Sequence, residues 1–209
     1  MSRTSKRPVP SGLINPARNA LIFGIILVFT GIAVAAVINW LAAIFIFLGF
    51  LDSAVIYNLI SKRRSPLNII LGAPAGGMTV FAGWSAVAGI RIDLIAVLMF
   101  LLIMVWTPVH IWSLAYFYRE DYQKADVPML PVIWSSRNIF LLLLILNAVL
   151  VFLSVFIGFY FSLSIFYLIF IIILGVAMMV LNIILFVKNS RKFAWILFKF
   201  SSPDRKSVV

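Results

Sequence analysis

Residues 94–132, LIAVLMFLLIMVWTPVHIWSLAYFYREDYQKADVPMLPV, decide the fold. The first part, 94–117, is an uncharged apolar run long enough to cross a hydrocarbon core of about 30 Å as a helix. It then descends within a few residues into Arg119, Glu120, Asp121, Lys124 and Asp126 and closes on Pro-Met-Leu-Pro. Five further apolar runs flank it, at 19–38, 41–60, 67–89, 138–160 and 163–187, each of spanning length. The chain of 209 residues is 64% hydrophobic, with a mean hydropathy of +1.16. A water-soluble protein of this size cannot bury so much apolar surface, so the bilayer is its solvent. The runs are unbroken and do not alternate as barrel strands do. The pattern predicts an all-α, polytopic membrane helical bundle of about six transmembrane helices, in a single domain over residues 1–209. A basic segment precedes the first run and no small-residue cleavage pattern follows it, which argues against a cleavable signal peptide.

The net charge of +11 is a topology signal before it is a ligand signal. Of 17 basic residues, only Arg91 falls in the loops on one side of the six runs. The others precede the first run, follow the second (Lys62, Arg63, Arg64) and fourth (Arg119, Lys124, Arg137), or follow the sixth. This asymmetry predicts both termini in the cytoplasm and a plasma-membrane location. It argues against nucleic acid as the partner of this charge and leaves anionic headgroups and phosphorylated ligands. With no cysteine, thiolate metal sites, disulfides and cysteine nucleophiles are excluded.

Several groups could carry chemistry. If the fourth helix continues past Pro108, then Trp106, His110, Phe117 and Asp121 share one face, placing the only histidine between aromatics and a carboxylate. Packing of His110 as a hydrogen-bonded side chain is the plain alternative. Glu120 and Asp121 are hard oxygen ligands of the kind Mg²⁺ takes together with substrate phosphates. At the end of the second run, YNLISKRR (57–64) offers Lys62 and Arg63 to phosphate oxygens, although a KRR at a helix end is usually a topology anchor. Small residues in LNIILGAPAGGMTVFAGW (67–84) let helices approach closely, with Asn68 a polar contact at the helix mouth. Asp52 lies inside the second run with no charged neighbour on its helix; an intramembrane acid is either functional or paired with another helix.

In combination these residues resemble the protohaem IX farnesyltransferases (haem O synthases) of the UbiA-type intramembrane prenyltransferases. Four blocks carry the resemblance, in the family's order: Met1-x-Arg3-Thr4-x-x-Arg7-Pro8; Tyr57 with Lys62-Arg63; Asn68-Ile69-x-x-Gly72-x-x-Ala75-Gly76 with Gly83-Trp84; and Trp106-Thr107-Pro108-x-His110-x-Trp112-x-Leu114-Ala115, followed by Asp121-Tyr122-x-x-Ala125-x-Val127-Pro128-Met129-Leu130-Pro131-Val132. The resemblance implies transfer of a farnesyl group from farnesyl diphosphate to the vinyl group of protohaem IX, giving haem O, with Mg²⁺ as cofactor. Carried over, Glu120 and Asp121 would bind the metal, and Arg3, Arg7, Lys62 and Arg63 the diphosphate. Asp121 and His110 would be catalytic, with His110 a haem contact or a proton acceptor. Trp106, Tyr57 and Asn68 would stabilise the allylic cation or touch the acceptor.

The chain departs from the family in several places. The family's first acidic motif, Asn-x-x-x-Asp-x-x-x-Asp, stands just ahead of the Met-x-Arg-Thr block, with which this sequence begins. The family usually has nine spans, against six here. Thr79-Val80 replaces a Pro-rich pair, and Asp126 stands where Gly is usual. The expectation is a truncated member that makes little or no haem O. The rival readings are a prenyltransferase for a quinone or lipid acceptor, and a non-catalytic membrane subunit.

Overall fold

The computed structural model describes residues 7–202. Six helices among them are long and apolar enough to cross a membrane, so this is a multi-pass membrane protein. They are α1 (Ala17–Ile38), α2 (Trp40–Leu51) running without a break into a π-helical segment (Asp52–Ser61), α3 (Asn68–Ala88), α4 (Leu94–Phe117), α7 (Ser136–Tyr160) and α8 (Ile165–Lys188). Two short helices, α5 (Arg119–Lys124) and α6 (Leu130–Ile133), lie between α4 and α7; α9 (Arg191–Ser201) follows α8. The described residues contain no strand.

Neighbours in sequence are neighbours in space. α1 packs on α2, α2 on α3, α3 on α4, α4 on α7 and α7 on α8, with α9 laid against α4 and α8. The short loops hold the helices in step. Asn39 accepts a hydrogen bond from the Leu41 backbone N–H (2.8 Å), capping α2. Its amide nitrogen donates to the Ser85 carbonyl (2.9 Å), which also accepts the Gly89 N–H, and so pins the α1–α2 turn to the end of α3. At the other face, the Tyr116 hydroxyl donates to Asn189 Oδ1 (2.8 Å) and lies 3.1 Å from the Ser136 hydroxyl, tying α4, α7 and the end of α8 together.

The small residues of α3 serve packing, as the sequence suggests. A Cβ on Gly77 would meet the Phe100 ring at 2.5 Å, so α3 and α4 touch through a backbone surface that only glycine leaves open. Asp52 has a structural partner: its Oδ2 accepts the Ala75 backbone N–H at 2.9 Å. Pro74, inside α3, has no N–H and disturbs the helical ladder beside it; the buried carboxyl takes up the neighbouring donor.

The core sits at one end of the bundle, around the second half of α4. Val109, Trp112, Ala115 and Tyr116 pack there with Ile139, Phe140 and Leu143 of α7, Leu185 of α8, and Ala194 and Leu197 of α9. The Pro-Met-Leu-Pro loop folds into the same cluster through Met129 and Leu130. The rest of the bundle shows large apolar side chains outward, as a lipid-facing surface does.

Candidate functional site: a basic cavity at the end of the π segment

The π segment shapes the site. Its hydrogen bonds reach one residue further than those of an α-helix: the Lys62 N–H bonds the Tyr57 carbonyl at 2.8 Å. Wider winding brings residues five apart into line, and the Asn58 amide donates to the Ser53 carbonyl at 2.8 Å. Lys62 Nζ donates to Asn58 Oδ1 (3.2 Å) and stands 5.4 Å from the centre of the Tyr57 ring. Asn68, fully buried at the start of α3, donates from its amide to the Lys62 carbonyl (3.3 Å) and so props the loop from behind.

These residues border a cavity of about 680 Å³. Arg7, Tyr57, Asn58, Lys62 and Arg63 line one side, and Ile111 and Leu114 of α4 form another. Tyr122, Ala125, Val127 and Met129, from α5 and the loop beyond it, close the remainder. The Lys62 ammonium is held below the usual lysine range, first by burial and then by the charges of Arg7 and Arg63. Ion pairs among the described residues are Arg91–Asp93 and Arg191–Glu120, so no described carboxylate pairs with the three cations, and Asp126 borders a further pocket with Arg63. A second, apolar pocket of about 230 Å³ lies deeper, between Ser53, Tyr57, Ile69, Gly72, Thr107 and Ile111. Tyr57 and Ile111 border both spaces. Tyr57 reaches this position because α3 offers it Gly72; a Cβ there would meet the ring at 2.8 Å. The arrangement is a cationic mouth beside an apolar pocket, with an aromatic ring bordering both.

The structure brings together Arg7, Lys62, Arg63 and Tyr57 from the sequence candidates and sets Asn68 behind them. Arg3 lies outside the described residues. The single face expected from Trp106 to Asp121 does not form. α4 ends at Phe117, Tyr118 turns the chain (φ −96°, ψ 27°), and Asp121 starts afresh on α5. Trp106, His110 and Phe117 point to α9 instead. His110 Nδ1 is 2.8 Å from the Ser201 hydroxyl, and its ring lies between Trp106 and Phe198, at 4.8 and 4.4 Å. Trp106 Nε1 donates to the Ser201 carbonyl (2.9 Å), and Phe117 stacks on Trp195.

A magnesium site does not emerge from Glu120 and Asp121. Glu120 is exposed, and its Oε1 accepts from Arg191 at 2.6 Å, a contact that holds its carboxyl below the usual range. Asp121 is half-buried on α5, and neither residue lines the cavity. No three His, Cys, Asp or Glu side chains gather among the described residues. Among the described residues, the cavity lining itself therefore contributes no carboxylate to a Mg²⁺ ion.

Sequence reasoning missed Asn58 and Tyr122. Both stand in quoted motifs, and Asn58 carries a signal as an amide at the end of an apolar run. The π winding that aims them has no signature in a single sequence.

The chain matches the model of the UbiA prenyltransferase family over residues 1–202. It is 42% identical to the "Protoheme IX farnesyltransferase" of Desulforudis audaxviator over 97% of this chain and 64% of that one. It is 40% identical to "Protoheme IX farnesyltransferase 1" of Picrophilus torridus, over 97% of this chain and 68% of the relative. With the "Protoheme IX farnesyltransferase" of Thermoplasma volcanium the identity is 38%, over 97% and 70%. The chain therefore spans about two thirds of the length of these curated relatives. No solved structure matches it. The chain belongs to the UbiA prenyltransferase family.

Proposed function

We propose that this protein is a prenyltransferase of the haem O synthase type, transferring a farnesyl group from farnesyl diphosphate to the vinyl group of protohaem IX. The observation that supports the reading best is the convergence of Arg7, Lys62 and Arg63, none ion-paired with a described carboxylate, on a cavity that shares Tyr57 and Ile111 with an apolar pocket. The three similar relatives, all described as protoheme IX farnesyltransferases, support protohaem IX as the acceptor.

In this reading the diphosphate sits among the three cations and the prenyl chain runs down past Tyr57 toward Gly72 and Thr107. Heterolysis of the allylic C–O bond leaves the electron pair on the diphosphate oxygen. Lys62 and the two guanidinium groups neutralise that charge in a partly buried site, where it counts for more than in water. Arg presents a planar fork to the phosphate oxygens and Lys a point charge, so these side chains hold the phosphate oxygens directly. The Tyr57 ring, already facing the Lys62 ammonium, meets the allylic cation at the junction of the two spaces. Asn68 holds the Lys62 backbone in register. The Met129–Leu130 loop, anchored in the core, keeps water from one side. In this reading the mouth lies at the cytoplasmic face of the cell membrane with both termini on that side, which the asymmetry of the basic loops supports.

The test is haem extraction from cells that lack their own haem O synthase and express this protein. The expected result is haem O formation by a version extended to the full length of its relatives, lost in the Lys62→Ala, Arg63→Ala double variant, while residues 1–209 alone make little or none. Prenylation of a quinone precursor or a lipid, with no haem O, would overturn the acceptor assignment and leave the diphosphate site standing.

A further inference from the structure

Of the three cations that line the basic cavity, Lys62 alone makes a side-chain hydrogen bond among the described residues, and its acceptor is an amide. Asn58 lies about one turn back on the π segment and lines the same cavity. Its Nδ2 donates to the Ser53 carbonyl at 2.8 Å, and its Oδ1 accepts from Lys62 Nζ at 3.2 Å. A carbonyl only accepts and an ammonium only donates, so both contacts select the same orientation of the amide. A flipped Asn58 would set oxygen against oxygen at one end and N–H against ammonium at the other. The Ser53 contact spans the five-residue spacing that π winding brings into line, so the backbone of the segment aims the oxygen at Lys62.

Lysine carries a point charge on a flexible stem, and a ligand that must first order such a side chain binds more weakly. Here the ammonium is ordered in advance, by the Asn58 oxygen and by the Tyr57 ring, whose centre is 5.4 Å away. It has three N–H groups, and Asn58 takes one, which leaves the others for phosphate oxygens in the cavity. The groups around Lys62 otherwise disfavour its charge. Burial comes first, then Arg7 from the segment ahead of α1 and the neighbouring Arg63. Tyr57 and Tyr122 add phenol groups, Ile111 and Leu114 of α4 are apolar, and no carboxylate lines the cavity. A carboxylate at position 58 would also orient the ammonium, but it would offset the charge and repel an anion. A neutral acceptor orients it and does neither.

We infer that Asn58 is a positioning residue for anion binding, its amide oxygen holding the Lys62 ammonium toward the phosphate oxygens of the ligand. The inference rests on the diphosphate reading of the cavity and adds a residue that acts through Lys62.

The experiment is a double-mutant cycle on the full chain in nanodiscs, with inorganic diphosphate displacing bound farnesyl diphosphate. Asn58→Leu should weaken diphosphate binding by about fivefold when Lys62 is present, the scale of one lost hydrogen bond, and should have no further effect in the Lys62→Ala background. The pH profile supplies a readout that a merely structural role would not move. The wild-type affinity should fall as pH rises through the lowered pKa of Lys62. That fall should move to lower pH in Asn58→Leu, which has lost an acceptor for the charged form. It should move to higher pH in Asn58→Asp, whose carboxylate favours the ammonium while weakening binding by repulsion. Should Asn58→Leu fail to fold, the isosteric Asn58→Asp decides through the direction of its shift. Equal losses with and without Lys62, or a pH profile that Asn58→Asp leaves in place, would overturn the inference and leave the diphosphate reading standing. Diphosphate binding in Lys62→Ala that matches wild type would overturn both.

Discussion

The two sides of α4 make opposite use of residues that look functional. On one side Ile111 and Leu114, both apolar, border the cavity where Arg7, Lys62 and Arg63 converge. On the other, Trp106, His110 and Phe117 are taken up by α9, through stacking and through hydrogen bonds to Ser201. The imidazole packs against Phe198 and lies 2.8 Å from the Ser201 hydroxyl, while Lys62 and Arg63 of the helix-end KRR, which reads as a topology anchor, border the cavity. What separates the two sides is the partner each helix face meets, and that partner is distant in sequence.

The largest effect should come from the cavity side. Replacing Lys62 and Arg63 together by Ala should lower kcat/KM for farnesyl diphosphate by about 100-fold or more, since each charge-assisted hydrogen bond contributes about 1.5–3 kcal/mol. Steady-state kinetics on the full protein checks this. His110→Ala and Trp106→Phe should instead lower thermal stability and leave KM for the diphosphate unchanged. If His110→Ala stopped turnover with folding intact, the division between the two faces would fail.

Gly72→Val should be next, at about tenfold in kcat/KM. The added Cβ would meet the Tyr57 ring at 2.8 Å and push it across the junction of the two pockets, and overpacking of this kind costs about 1–3 kcal/mol. Gly83→Ala, on the same helix with open space at its Cβ, is the control and should be silent.

Asp52→Ala should act on stability more than on catalysis. It leaves the Ala75 N–H without its acceptor at a cost of about 1–3 kcal/mol, while Asp52→Asn keeps an acceptor and most of the stability. Thermal denaturation in detergent separates the two variants.

The smallest effect belongs to Glu120→Gln. The ion pair with Arg191 is exposed, so activity and stability should stay near wild type. Its carboxyl titrates below the usual range, so whatever the pair contributes is present above the ordinary glutamate pKa and lost as pH falls through the lowered value. A collapse of activity in Glu120→Gln would restore this carboxylate as a metal ligand.

Much of the fold is legible in the amino-acid sequence alone. The six apolar runs end within a few residues of the six spanning helices, because spans of that length and hydropathy have no other stable form in lipid. Lys62, Arg63 and Tyr57 are legible as candidates, and the fold seats them on one cavity. Three features are not. The π segment depends on how α2 meets α3 through Asp52 and Ala75, a tertiary contact. The break at Tyr118 interrupts a pattern whose helical spacing runs straight on to Asp121. α9 is the third. Its short amphipathic sequence, RKFAWILFKFS, gives no sign that it turns back along α4, carrying Ser201 from the level of the charged loops to Trp106. Ala194 and Leu197 hold it there, and only the packed neighbours reveal that register.

The central claim is that the cations at the end of the π segment hold a diphosphate. The direct measurement is displacement of bound farnesyl diphosphate by inorganic diphosphate in nanodiscs, followed against pH in wild type, Lys62→Ala and Lys62→Arg. Because the folded pKa of Lys62 lies below the ordinary 10.5, protonated Lys62 is disfavoured in the empty site and an anion draws the proton back. The account predicts that affinity falls as pH rises through that lowered pKa, starting below 10.5. Lys62→Ala should bind about tenfold more weakly and lose this pH dependence, and Lys62→Arg, whose charge persists, should lose the pH dependence and keep binding. Affinity that is independent of pH in this range and unaltered by Lys62→Ala would contradict it.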